Sequence, residues 1–183
     1  MTDSTLLASS PDAGAAARLL FCTRPAFGHV YPLMPLAIVA RAATHDVVFA
    51  TGEDFVPRLR DLGFEAHQVG IGIRQAAQEL QSIRANPTTN GSRPDWDWQG
   101  QLFLGPLARR SGGDLLPLLD RLAPDLVIYD QVDFGAAVAA GVAEVPAICH
   151  GVSRAWSVEM RQAVRWDATR CAVGRLRDGD PAT

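Results

Sequence analysis

No lysine occurs in this chain: all 17 basic residues are arginine. That is read as codon usage in a GC-rich genome and not as function. Twenty acidic residues outnumber them, and the net charge of -3 gives nucleic acid and acidic membrane surfaces no purchase. Cysteine is scarce as well. Cys22, Cys149 and Cys171 are odd in number, far apart and in no C-x-x-C spacing, so they are expected to be buried thiols rather than metal ligands or a disulfide frame. No run approaches the ~20 apolar residues that span a bilayer. The first 17 residues have no positive n-region, and Leu6-Leu7-Ala8 is too short for a signal-peptide core. The expected location is the cytoplasm, behind a disordered tail over 1–17. Neither G-x-G-x-x-G nor a Walker motif is present, which argues against a dinucleotide or nucleotide phosphate in the first βα loop. No metal site is expected, and no internal repeat is found.

What remains is an ordinary globular composition, 48% hydrophobic and 20% charged over 183 residues. That length suits one domain, or one with an appendage. Short apolar runs alternate with helical stretches. Leu19–Cys22, Asp46–Ala50 and the alternating Phe64–Val69 read as three strands. Between them fall a helix over Leu33–Ala43 and another over Phe55–Leu62, capped by Thr51 or Asp54 and ended by Gly63. Ile73–Ala85 is expected to be helical, and Asn86–Pro94 is a turn-rich loop. From about Gln101 to Leu122 a helical pattern is interrupted by Gly112-Gly113 and Pro117, so a broken or kinked helix is expected. Pro124–Asp130 reads as a fourth strand, Asp133–Ala143 as an alanine-rich helix and Pro146–Gly151 as a fifth strand. A last helix follows within 154–183, ending in a frayed terminus. The fold class is therefore α/β, a Rossmann-like doubly wound parallel sheet over 18–153.

The chemistry is expected where such a sheet reverses its winding. In the strand order 3-2-1-4-5, strands 1 and 4 are neighbours, and ligands sit beyond their carboxyl ends. The strand-to-helix loop Thr23–Leu33 carries Gly28 and His29 at its tip, and Asp130 ends strand 4. A carboxylate on one imidazole nitrogen fixes its tautomer, leaving the other free to take a proton from a hydroxyl. Alone, such a histidine is an ordinary surface residue and such an aspartate a turn former. It is their convergence on one crevice that makes them candidate catalytic residues.

The stretch Gly28-His29-Val30-Tyr31-Pro32-Leu33, then Thr51-Gly52-Glu53-Asp54-Phe55-Val56-Pro57-Arg58-Leu59 and Leu62-Gly63-Phe64, resembles the amino-terminal half of GT-B glycosyltransferases. These enzymes use nucleotide sugars, and the similarity is to bacterial ones acting on macrolides and other natural products. Pro124–Asp130 and Pro146–Gly151 fit the same half, so the resemblance covers about 18 to 175. It implies His29 as general base on an acceptor hydroxyl, Asp130 as its support, and inversion at the sugar. It implies an acceptor site drawn from Phe27, Gly28, Tyr31, Trp96, Trp98, Phe103 and His150. The donor, a UDP- or dTDP-sugar, is a co-substrate bound mainly by a second domain that this stretch does not contain. No cofactor is expected on this half. A hydrophobic small-molecule acceptor and a separate donor-binding domain or subunit are the expected partners. A non-catalytic acceptor-binding module is the alternative.

Overall fold

The computed structural model describes residues 15–84 and 100–152. The expected tail over 1–17 and the helix over 154–183 lie almost wholly outside those residues. Five parallel strands, β1 (Arg18–Cys22), β2 (Asp46–Thr51), β3 (Glu65–Gln68), β4 (Leu126–Asp130) and β5 (Ala147–His150), form one sheet in the order β3-β2-β1-β4-β5. The crossovers are α1 (Phe27–Ala42), α2 (Val56–Asp61), α3 (Ile73–Arg84), α4 (Ala108–Leu122) and α5 (Phe134–Val142). The winding is the expected one.

Side-chain alternation along the strands divides the core between the two sheet faces. Leu20, Cys22, Val48, Ala50 and Val127 pack with Leu115, Leu119 and Ala139 of α4 and α5. Phe21, Phe49 and Ile128 pack on the other face with Leu33 and Ala37 of α1 and Leu59 of α2. Both faces of β1 are thus closed, as its unbroken apolar run requires. β5 is different. Ala147, Ile148 and Cys149 are exposed on this outer strand, so the expectation of a buried Cys149 fails, whereas Cys22 is fully buried. Cys171 lies outside the described residues.

Two helices depart from the sequence reading. α1 begins at Phe27, six residues before the expected start, and runs through Pro32 and Pro35. Its buried stripe is Val30, Leu33, Ala37 and Ala40, while both prolines face solvent. The N–H bonds they omit fall on the wet side, where water serves the free carbonyls. The chain after strand 1 is therefore only Thr23–Ala26, and His29 sits in the first turn of α1 instead of at a loop tip. The expected break near Gly112-Gly113 and Pro117 is also displaced. α4 is continuous through all three, and the irregularity is a wide helical turn over Phe103–Leu107. It breaks at Gly105 (φ -95°, ψ -110°), the residue that Pro106 excludes from helical geometry.

Candidate active site at the β1–β4 crevice

Parallel pairing of β1 with β4 sets Cys22 beside Tyr129, so the next residues of both strands emerge at one edge. Thr23 donates its N–H to Ala50 O at 3.0 Å, carrying the chain one step past the sheet. Pro25 then lies over Gly52, where a Cβ would stand 2.5 Å from the proline ring, and the chain enters α1. This short connection puts His29 over the end of β4.

His29 Nδ1 lies 3.0 Å from Asp130 Oδ2. The Asp130 side chain is fully buried, while the His29 side chain keeps 28% of its surface. The distance is that of a contact pair, but the ring is not turned into an aligned hydrogen bond, and Nδ1 has no other partner. Asp130 is fixed independently. Its Oδ1 accepts the Val132 N–H at 2.9 Å, and Oδ2 accepts the Arg24 N–H at 3.3 Å. The main chain on both sides of the crevice thus fixes the carboxylate beside the imidazole.

Beside the pair opens a small, solvent-open crevice lined by Arg24, Gly70, Ser111, Asp133 and apolar groups including Leu107 and Phe134. Asp133 is buried at the start of α5. Its Oδ1 accepts from Ser111 Oγ at 2.8 Å and from the Ala136 N–H at 3.2 Å. Burial pushes its pKa above the usual aspartate value, against the opposing pull of those two donors. Arg24 is 7% exposed, with its guanidinium 4.8 Å from the centre of the Phe103 ring. Burial lowers its pKa, while Asp133 and Asp130 act to raise it. Its Nη2 is buried and has no hydrogen-bond partner.

The remaining expected site residues are scattered. Phe103 meets the crevice through Arg24. Phe27 and Tyr31 lie edge to face at 5.2 Å, with Phe55 5.1 Å from Phe27, on the exposed outer side of α1. Neither lines the crevice beside Asp133. A Cβ on Gly28 would meet nothing within 4 Å, so no close approach demands glycine there. His150, paired in register with Asp130, is half-buried with Nδ1 unpartnered, and its carbonyl accepts the Gln131 N–H at 3.0 Å. Trp96 and Trp98 lie outside the described residues. Sequence reasoning passed over Arg24, Ser111 and Asp133. A charge placed two residues past a buried strand, as Arg24 is, was the available signal. Among the described residues no three His, Cys, Asp or Glu side chains cluster as a metal would need, and no helix is long and apolar enough to cross a membrane.

This sheet, with its crevice between β1 and β4, is the amino-terminal half of the GT-B glycosyltransferase fold. No protein-family model matches the chain. It is similar to the glycosyltransferase SnogD from Streptomyces nogalater, at 21% identity and a TM-score of 0.68, over 88% of this chain and 41% of that one. SsfS6, a glycosyltransferase of Streptomyces sp. SF2575, gives 20% identity and a TM-score of 0.70 over 88% of this chain and 46% of its own. SsfS6 is also known in complex with thymidine diphosphate. A curated relative, the L-demethylnoviosyl transferase of Streptomyces niveus, is 27% identical over 139 residues. That alignment takes in 73% of this chain and 34% of the relative, so the chain spans about a third of that protein's length. The resemblance to natural-product glycosyltransferases read from the sequence holds.

Proposed function

We propose that the chain is the acceptor-binding part of an inverting glycosyltransferase for a hydrophobic natural product. The observation that carries this reading is the imidazole of His29, 3.0 Å from a buried carboxylate at the sheet's switch point and still open to solvent. In the reaction, His29 Nε2 takes the proton of an acceptor hydroxyl while Asp130 holds the ring and favours the imidazolium that forms. The hydroxyl oxygen bonds to the anomeric carbon from the face opposite the nucleotide. The bond from that carbon to the diphosphate oxygen breaks, and the nucleoside diphosphate leaves with the electron pair. One direct displacement inverts the anomeric centre. Phe27, Gly28 and Tyr31 flank His29 on the outer turns of α1, and Phe103 and His150 complete the acceptor surroundings. The thymidine diphosphate complex of SsfS6 supports a dTDP-sugar as donor, bound mainly by a second domain.

The test joins residues 1–183 to the carboxyl-terminal half of SsfS6 and measures transfer from a dTDP-sugar to a panel of hydroxylated polyketide aglycones. His29→Ala is expected to reduce turnover by ~10²–10⁴-fold, the usual worth of a general base. Asp130→Asn should lower the rate with little change in acceptor affinity. Unchanged turnover in a folded His29→Ala chimera removes the catalytic assignment. Acceptor binding without any transfer leaves the non-catalytic module in its place.

A further inference from the structure

Five of the eight large apolar side chains exposed among the described residues belong to α1: Phe27, Tyr31, Leu36, Ile38 and Val39, each with 44–65% of its surface accessible. A helix on the outside of a sheet ordinarily turns charged residues to water. α1 does not. Of its exposed positions only Arg41 carries a charge. That guanidinium is turned aside, donating to the carbonyls of Leu62 and Gly63 and lying 4.0 Å from the centre of the Phe64 ring. The helix therefore has two apolar sides. Val30, Leu33, Ala37 and Ala40 face the sheet, and nothing among the described residues covers the other side. A helix hydrophobic all round is a helix made to be buried.

Helical spacing gives the uncovered side a middle and two ends. Pro35 stands at the middle, Tyr31 and Val39 one turn away on either hand, and Gly28 and Ala42 two turns away. A second copy turned antiparallel about a two-fold axis at Pro35 sets each Tyr31 against the other copy's Val39, and brings no like charges together. Half-exposed side chains of this size contribute roughly 100 Å² each, so five from each copy bury roughly 1,000 Å², the least that a specific interface needs.

We propose that the outer side of α1 is a homodimer interface, two copies packing antiparallel around Pro35. His29 lies on the flank of α1 that meets Asp130 of β4, so the contact leaves it open and does not depend on its role.

Sedimentation velocity of the 183-residue chain over a micromolar concentration series tests the interface. A reversible dimer with a micromolar dissociation constant is expected from an area at the lower limit. Val39→Glu puts a charge into each half of the contact and should weaken the dimer by about a hundredfold or more. Tyr31→Ser removes a central ring and should weaken it by about tenfold or more. Ile73→Glu, on an exposed apolar residue of α3, should leave it unchanged. Circular dichroism and melting temperature establish that each variant is folded, and the two α1 variants test the contact separately. A chain that stays monomeric up to about 200 μM overturns the proposal and assigns the face to another segment or another partner. A dimer that survives both α1 variants, or that Ile73→Glu weakens equally, overturns it too.

Discussion

Asp133 carries two duties at once. It is the N-cap of α5, accepting the Ala136 N–H, and it anchors α4 through Ser111 Oγ. Both bonds favour its ionised form, yet burial outweighs them and raises its pKa. The consequence for stability follows from proton linkage. A carboxyl with a raised pKa holds its proton more tightly folded than unfolded. Its stabilising contribution is therefore complete below the ordinary aspartate value of about 3.9, and it is lost as pH rises from there through the folded value. Asp133→Asn keeps an oxygen for both donors and removes the titration. Denaturant unfolding of both proteins across pH 4 to 8 should show the variant gaining on the wild type as pH rises. Parallel curves would mean that Asp133 is not displaced from its ordinary value.

The packing of α4 on α5 shows what one element asks of another. Gly135 opens α5, and a Cβ there would stand 2.5 Å from Ala108 O, 2.7 Å from Gly112 N and 2.8 Å from Ser111 Cβ. Two of these obstacles are main chain and cannot rotate away. Gly135→Ala should therefore destabilise the fold by about 1–3 kcal/mol, the range of overpacked cores, and pull Ser111 away from Asp133. Gly113→Ala is the control in α4, since a Cβ there meets nothing within 4 Å; it should stabilise by roughly 0.5–1 kcal/mol through helix propensity. Equal effects in chemical denaturation would refute the close-approach argument. The same helices explain what was legible. Gly112-Gly113 read as a helix breaker because a local rule sees only propensity, whereas Gly112 lies at the tight contact with Gly135. The start of α1 was likewise read six residues late, because the sequence does not say that Pro32 and Pro35 fall on its wet face. The strands were legible because β1, β2 and β4 have buried residues on both sheet faces, and an unbroken apolar run is hard to misread. The juxtaposition of His29 and Asp130 was legible because strand order brings the ends of β1 and β4 together. Arg24 was not, because the Phe103 ring that its guanidinium meets stands far along the chain.

At the scale of the whole molecule, the sheet places Arg24, Asp130 and Asp133 at the carboxyl ends of β1 and β4, with the connection after β1 only four residues long. Phosphate recognition by such a sheet would need main-chain N–H groups free at that short turn, with glycines to let a diphosphate approach. Here the turn is committed inward. The Arg24 N–H goes to Asp130, the Ala26 N–H to Arg24 O at 2.8 Å, and the Thr23 N–H to β2. Gly28 is the one glycine in this stretch, and the Asp130 and Asp133 carboxylates oppose a further negative charge. The 183-residue chain by itself is therefore expected to bind dTDP or a dTDP-sugar no more tightly than millimolar, about -4 kcal/mol. Joined to the carboxyl-terminal half of SsfS6, it should bind the same nucleotide at least a hundredfold more tightly. Isothermal titration of dTDP into both proteins makes the comparison. Micromolar binding by the chain alone would show a nucleotide site within it and overturn the division of labour between acceptor and donor halves. Weak binding by the chain, with tight binding by the chimera, would assign the acceptor crevice to this sheet and the donor to its partner domain.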